Sequence, residues 1–480
     1  MSQEVRAHPL MTATLMKPFW FVLILPLVKG VVQVLANREI SGVWGLEAVA
    51  FVPVFVTAWL RCRSCRLRCE DGFLIVKNGL FFRKVAIIPQ NSLSSIRFFQ
   101  NPFDAVFRAV TFELHTEAGP ERRADFKGKL RCRDSEKLAH LLMGEKPRET
   151  VRVSAVRVAL MSAATSSAVT GLLFAVPVIR RAGKLLGLAI DRLLLDELQT
   201  VSSRFHTLFP PFINFITLLF LLSQIVAFLL SFLKTVRFTL SHDEEILEVR
   251  SGFFVRRHAF FRKRAVCVVK IEQTPLMRLF RRFMMKVSVG GYGDARAETA
   301  VLLPFGRRGE LRRAMRAFFP ELVPRGVPLR AKRDRRTLYR SLFRPASGFF
   351  LLVSLSAVLS AFLPDMRPLI VFFTLIGTVL LAYQGFLSVT ACKQAKVIFS
   401  HGLYAKNIVG FRTVEWFCRK ENVGEIKLTR SPADRRHGTC SFSVTVRSQA
   451  ADRLQVRFLT NSAARKHLSD FYSLPLSEMD

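Results

Sequence analysis

The sequence predicts transmembrane α-helical hairpins combined with α+β polar modules. Six transmembrane helices form three hairpins, each followed by a curved antiparallel β-sheet closed by a C-terminal α-helix. Three observations lead there. Half of the 480 residues are hydrophobic and mean hydropathy is +0.26, yet 72 Lys+Arg stand against 36 Asp+Glu, a formal net charge of +36. The apolar segments come in pairs with short connections, and the polar segments between them repeat one another. A soluble basic protein would be less apolar, and a disordered chain would lack the 44 Phe. Apolar spans beside Lys/Arg-rich flanks produce both extremes at once.

A span needs about 20 mostly apolar residues. Six stretches approach this: Phe19 to Ala36, Val43 to Leu60, Ala155 to Ile179, Phe212 to Leu233, Ala346 to Leu363 and Leu369 to Thr390. Asn37 to Gly42 joins the first pair and Pro364 to Pro368 the third, so both ends of each hairpin face one side. Charge selects that side. Arg61, Arg63, Arg66 and Arg68 follow the second span, and eight basic residues lie between Arg325 and Arg344. The short turns are neutral, and the connection Arg180 to Arg204 is only weakly positive. The positive-inside rule therefore predicts a cytoplasmic N-terminus, C-terminus and polar modules. Val34-Leu35-Ala36 resembles a signal cleavage site, but Lys29 interrupts the apolar core and a second span follows at once.

The expected domain order is 1–60 (N-terminus and first hairpin), 61–150 (first polar module), 151–233 (second hairpin with a longer external loop), 234–323 (second module), 324–390 (basic linker and third hairpin) and 391–480 (third module). The modules align with one another. Leu74-Ile75-Val76-Lys77-Asn78-Gly79, then Phe82-Arg83-Lys84, ends at Gln100-Asn101-Pro102. Leu247-Glu248-Val249-Arg250-Ser251-Gly252, then Val255-Arg256-Arg257, ends at Gln273-Thr274-Pro275. Leu403-Tyr404-Ala405-Lys406-Asn407, then Phe411-Arg412-Thr413, ends at Arg430-Ser431-Pro432. Leu to Pro is 28 residues in the first two and 29 in the third. Asn78-Gly79 between β-favouring runs predicts a two-residue hairpin turn, and Ser251-Gly252 a weaker one. Val110 to His115 and Phe442 to Val446 alternate as strands. Closing helices are expected over Asp134 to Leu142, Gly309 to Phe319 and Asn461 to Tyr472.

This order, a Leu-x-Val-Lys/Arg-x-Gly run, a basic pair, a Gln-x-Pro and a terminal helix, resembles the bacterial pleckstrin-homology-like (PH-like) domain. Three copies behind hairpins resemble the triple-repeat, multi-pass membrane proteins that carry it. The third copy departs at Ile408, where the turn glycine is missing, and at Arg430, where the others have Gln. The resemblance implies a non-catalytic scaffold or adaptor in the bacterial cytoplasmic membrane, acting in envelope maintenance or defence. It would bind partner membrane proteins, among them a smaller PH-domain membrane protein, and/or the anionic lipid leaflet. The alternative is a transporter or lipid-handling permease with regulatory PH-like domains.

Enzyme signatures are not expected here. Gly290-Gly291-Tyr292-Gly293 lacks the Lys of a phosphate loop, and Ser241-His242-Asp243 reads as a turn. No cofactor, metal or nucleic-acid partner is expected. The eight Cys are irregularly spaced, and Cys62, Cys65 and Cys69 (with Cys132) lack the second ligand pair of a zinc site. Lys29 and Glu47 are ionisable residues inside apolar spans. An intramembrane ion pair, snorkelling of Lys29 and a transport path all remain open. In PH-like folds the first hairpin is where anionic headgroups are gripped. The resemblance thus nominates Lys77, Arg83 and Lys84, and in the second copy Arg250, Arg256, Arg257, Arg262, Lys263 and Arg264. Topology-setting charge and a protein-binding face are the other readings of the same residues.

Overall fold

The computed structural model describes residues 3–19, 43–80, 82–117, 124–144, 149–166, 211–290, 300–447 and 453–473. Strand β1 (Gln3–Arg6) and helix α1 (Leu10–Leu15) precede the long helix α2 (Val43–Ser64). Strands β2 (Arg66–Glu70), β3 (Phe73–Asn78) and β4 (Lys84–Pro89) lead through a 3-10 turn (Gln90–Ser92) into β5 (Leu93–Gln100). A short helix α3 (Pro102–Val106), strands β6 (Ala109–Thr116) and β7 (Phe126–Arg131) and helix α4 (Cys132–Met143) complete the first copy.

After β8 (Glu149–Arg152), α5 (Ala155–Thr165) and α6 (Pro211–Thr235) the same order returns. It comprises β9 (Thr239–His242), β10 (Ile246–Ser251), β11 (Arg256–Arg262), a 3-10 turn (Lys263–Ala265), β12 (Val266–Gln273), α7 (Pro275–Leu279), β13 (Phe283–Val289), β14 (Ala300–Gly306) and α8 (Arg308–Phe318). Strand β15 (Leu329–Arg330) and helices α9 (Arg335–Phe362) and α10 (Arg367–Gln394) then intervene. The third pass is β16 (Lys396–Phe399), β17 (Gly402–Val409), β18 (Arg412–Arg419), a 3-10 turn (Lys420–Asn422), β19 (Val423–Thr429), α11 (Pro432–His437), β20 (Thr439–Val446), β21 (Arg453–Thr460) and α12 (Asn461–Tyr472).

Local chemistry explains the landmarks. Pro102, Pro275 and Pro432 each open a short helix at its first position, where a fixed φ and a missing N–H cost nothing. The two-residue turn lies at Asp71-Gly72, both at positive φ, between the paired Glu70 and Phe73. It does not lie at Asn78-Gly79. There β3 and β4 are joined by the five-residue loop 79–83, closed by the pair Asn78↔Lys84. In the second copy Gly252 to Val255 likewise form a four-residue loop.

The expected fold class is overturned. Among the described residues two helices, Arg335–Phe362 and Ile370–Gln394, are long and apolar enough to cross a membrane, not six in three hairpins. Helix α5 spans 11 residues, about 16 Å, against a hydrocarbon core of about 30 Å. Its Val158, Met161 and Ser162 are buried by protein. Helix α6 is 25 residues long, and its described stretch Phe220–Thr235 is apolar. The 22-residue helix α2 contains Pro53 and ends on Arg61 and Arg63. The first expected span, from residue 20 on, and the second half of the third lie outside the described residues. Helices α9 and α10 pack on one another through small residues: a Cβ at Gly377 would sit 2.7 Å from Leu352. Thr374 Oγ1 donates to Ser356 Oγ across the pair at 2.8 Å.

Nor does each copy close its own sheet. Four sheets form, ordered β1-β2-β3-β4, β7-β6-β5-β11-β10-β9-β8, β14-β13-β12-β18-β17-β16-β15 and β19-β20-β21. The second half of copy one thus continues into the first half of copy two through β5–β11, and copy two into copy three through β12–β18. The physical reason is the edge. A three-stranded half-sheet leaves a row of unpaired N–H and C=O groups, which the next copy's half satisfies.

The chain divides into two compact units. The first comprises Met1–Val151, Thr239–Val266 and Val289–Glu298. Its core joins Leu74, Val76 and Ile88 of the first sheet to Ile96, Phe112 and Leu142, and takes in Ile246 and Phe260 from copy two. The second comprises Arg152–Phe238, Cys267–Ser288 and Thr299–Asp480. Its largest core gathers Val268, Leu403, Trp416, Phe442, Val456 and Leu459.

Candidate functional site

The sequence-nominated residues do not form one site. Lys77, Arg83 and Lys84 are exposed together around the loop 79–83. On β11, Arg256 and Arg257 sit at one end, and on β10 Arg250 pairs opposite the adjacent His258. Arg262, Lys263 and Arg264 lie about 20 Å away at the other end of the strand. Arg262 is buried, donates to Leu142 O at 3.4 Å, and burial holds its pKa below the ordinary value. Arg264 faces Glu117 at 3.7 Å and donates to Asn91 O. Arg250 is engaged by Glu248, which also accepts from His258 Nε2 at 2.6 Å. Lys29 lies outside the described residues, and of Glu47 only its place in α2 is described. Cys62 and Cys65 are buried free thiols, and burial pushes Cys65 up to about 11. Among the described residues no three His, Cys, Asp or Glu are placed to hold a metal.

A cluster of arginines that the sequence did not nominate lies in the second unit. A cleft of about 1060 Å³ opens at the base of the α9–α10 pair, against the third copy. Helix α9 supplies Arg340 and Arg344 from the turns just before Pro345, where its charged start meets its apolar length. Strand β21 supplies Arg453 and Arg457 from alternate positions on one face, and Arg430 leaves the end of β19. Helix α10 adds Gln384 and Ser388.

Among the lining residues the single carboxylate is Asp434. It is already committed. Ser431 caps α11: its Oγ accepts from the Asp434 amide at 3.1 Å, while Asp434 Oδ2 accepts from the Ser431 amide at 3.1 Å and from its hydroxyl at 2.7 Å. Asp434 Oδ1 accepts from Thr439 Oγ1 and Arg340 Nη2, each at 2.8 Å. Burial acts to raise its pKa, but these donors outweigh it and hold the carboxyl below its usual range.

Arg340 lies 5.4 Å over the Phe458 ring, and its buried Nη1 has no hydrogen-bond partner among the described residues. Arg457 has its pKa lowered by burial and by the neighbouring Arg344. Five guanidinium groups thus converge on a cleft with one internally neutralised acid. Planar, always-charged, multidentate donors in this number suit phosphate or carboxylate oxygens. Sequence reading missed them. Arg340 and Arg344 read as topology charge, and Arg453 and Arg457 were not singled out. Arg430, where two copies carry Gln, was the available signal.

No curated protein and no solved structure matches the chain. The family model of the bacterial PH domain matches residues 21–146 and 189–317, one match on each of the first two copies and together more than half of the length. Domains of this kind bind membrane lipids or proteins. The chain belongs to the bacterial PH domain family.

Proposed function

We propose that the protein is a non-catalytic, membrane-seated binding module whose arginine cleft receives the phosphate headgroup of an anionic lipid. The observation that carries this reading is the charge imbalance at the base of the α9–α10 pair. Five arginines face one engaged carboxylate, and among the described residues a buried Arg340 nitrogen is left without an acceptor. The place supports it too: with α9 and α10 in the bilayer, Arg340 and Arg344 sit at headgroup depth. The basic run Arg325 to Arg344 and Lys393 set that end on the cytoplasmic side, where anionic lipid is enriched. Transport would call for polar groups converging between the spans, and the Ser356–Thr374 contact there is internally satisfied. Holding a partner membrane protein beside the bound lipid is compatible with this role.

The test is native mass spectrometry of the full chain in mild detergent, titrated with phosphatidylglycerol and, separately, phosphatidylcholine. Phosphatidylglycerol should be retained preferentially. Arg457→Gln and Arg344→Gln should each weaken it roughly tenfold, the worth of one charge-assisted hydrogen bond (~1.5 kcal/mol). Equal retention of both lipids, or variants that bind as tightly as the parent, would refute the proposal.

A further inference from the structure

We propose that copies of this chain associate head to tail, the β4 edge of one pairing with the β19 edge of the next. This inference stands apart from the lipid reading. The chain makes the same joint twice internally. Each copy has a β4-type strand before its 3-10 turn and a β5-type strand after it. β11 pairs with β5, and β18 with β12, antiparallel and in the same register counted from those turns. Phe260 meets Ile96 in the first joint, and Phe417 meets Val269 at the equivalent place in the second.

Two strands of these types are left over. Among the described residues β4 pairs only with β3, and β19 only with β20. Their burial shows the difference. The first six residues of β5 and of β12 are all buried, whereas β19 is largely exposed. Phe260 and Phe417 of the joined strands are 2% and 7% exposed, but Ile87, which holds their position in β4, is 63% exposed and Val85 is 56% exposed. Val85-Ala86-Ile87-Ile88 is apolar toward both faces, the pattern of an interior strand, in a sequence that otherwise charges its surface. Carrying the internal register across sets Ile87 opposite Ile426 and Val85 opposite Leu428. Ile426 and Leu428 are themselves only partly covered by the core of the second unit. Pro89 falls one residue beyond the paired stretch, as Arg262 does in β11, so its missing N–H removes no bond. Such strand addition joins unlike surfaces, so the contact is heterologous and leaves a free edge at each end.

The experiment uses the full chain in mild detergent, followed by size-exclusion chromatography with light scattering. The parent should self-associate with rising concentration. Ile87→Lys alone and Ile426→Lys alone should stay monomeric, and an equal mixture of the two should form dimers, because each variant keeps the edge the other has lost. A monomeric parent, a single variant that still associates, or a mixture that stays monomeric would overturn the proposal. A second measurement does not depend on the charged variants folding. Differently tagged copies carrying Ile87→Cys and Ile426→Cys should form a disulfide between copies on mild oxidation, and Ile87→Cys with Thr429→Cys should not. Equal yields from both combinations, or none from either, would also overturn it.

Discussion

Phe260 belongs by sequence to the second copy, yet its ring is 2% exposed inside the core of the first, edge-on to Phe98 at 6.1 Å and to His140 at 5.9 Å. Phe260→Ala therefore tests whether neighbouring copies share a sheet. Removing a buried aromatic ring forfeits roughly 150 Å² of apolar burial, about 4 kcal/mol, and leaves a cavity; measured Phe→Ala changes run about 3–5 kcal/mol. At the low end, 3 kcal/mol corresponds to roughly a 100-fold rise in exchange for amides that open with the core. Hydrogen exchange with mass spectrometry on the full chain locates the effect. Protection should fall in peptides covering β5, β6 and helix α4, all from copy one. Peptides covering β13 and β14, the second half of the same copy as Phe260, should change little. If β13 and β14 lose protection while β5 and β6 keep it, each copy closes its own sheet and the shared-sheet reasoning fails.

Acid should loosen the first unit first. His8, His242 and His258 all lie there, and burial lowers the pKa of each below the ordinary 6.5. A depressed histidine leaves the unfolded chain binding more protons, so stability is full above about pH 6.5 and is lost as pH falls below it. In the second unit the lowered Asp434 acts the same way only below its ordinary value of 3.8. Exchange at pH 7.5 and 5.5, corrected for intrinsic rates, should show losses around β10 and β11 before β20; the reverse order refutes this. Asp434→Asn keeps the shape but removes the charge that Arg340, Ser431 and Thr439 converge on, and should cost about 2–4 kcal/mol in thermal or chemical unfolding. Less than 0.5 kcal/mol would mean the network is not strongly coupled to the fold. Burial pushes the thiols of Cys65 and Cys440 up to about 11 and that of Cys418 up to about 12. Iodoacetamide at pH 8 should therefore modify the half-buried Cys69 and Cys132 before these three, which peptide mapping would check.

The order of elements could be read because it rests on local chemistry. Prolines open the short helices, alternation marks β6 and β20, and long apolar runs mark α9 and α10. Pairing between copies rests on nothing local. Val85 to Ile88 in β4 and His258 to Phe261 in β11 are similar apolar strands, yet one is an edge and the other sits mid-sheet. The loops misled for a related reason. Asn78-Gly79 has the composition of a tight turn, but the strand register places the closing pair at Lys84, and Gly79 instead serves a wider loop at φ +119°. The cleft escaped notice because Arg340 and Arg457 are distant in sequence and each has an ordinary local explanation. Hydropathy overcounted spans because α5 is as apolar as a membrane helix while packing against protein, which a window cannot distinguish.

Sharing sheets has a kinetic consequence as well as a structural one. The joint between Ile96 and Phe260 links residues more than 160 positions apart, so the first core cannot close until β11 has been made. At bacterial synthesis rates of about 5–20 residues per second, β5 waits roughly 10–30 s with its edge open. The β5 sequence Ser94-Ser95-Ile96-Arg97-Phe98 is suited to that interval. Arg97 interrupts its apolar run and finds Glu113 on β6 within 3.8 Å, so the strand carries its own guard against premature pairing. Among the described residues β4 keeps this exposed edge. Its central Val85 to Ile88 are apolar, and the guards stand only at its ends, Lys84 and Pro89. A permanent edge protected at the ends but apolar in the middle is better explained as a strand waiting for a partner than as a surface shaped to avoid one.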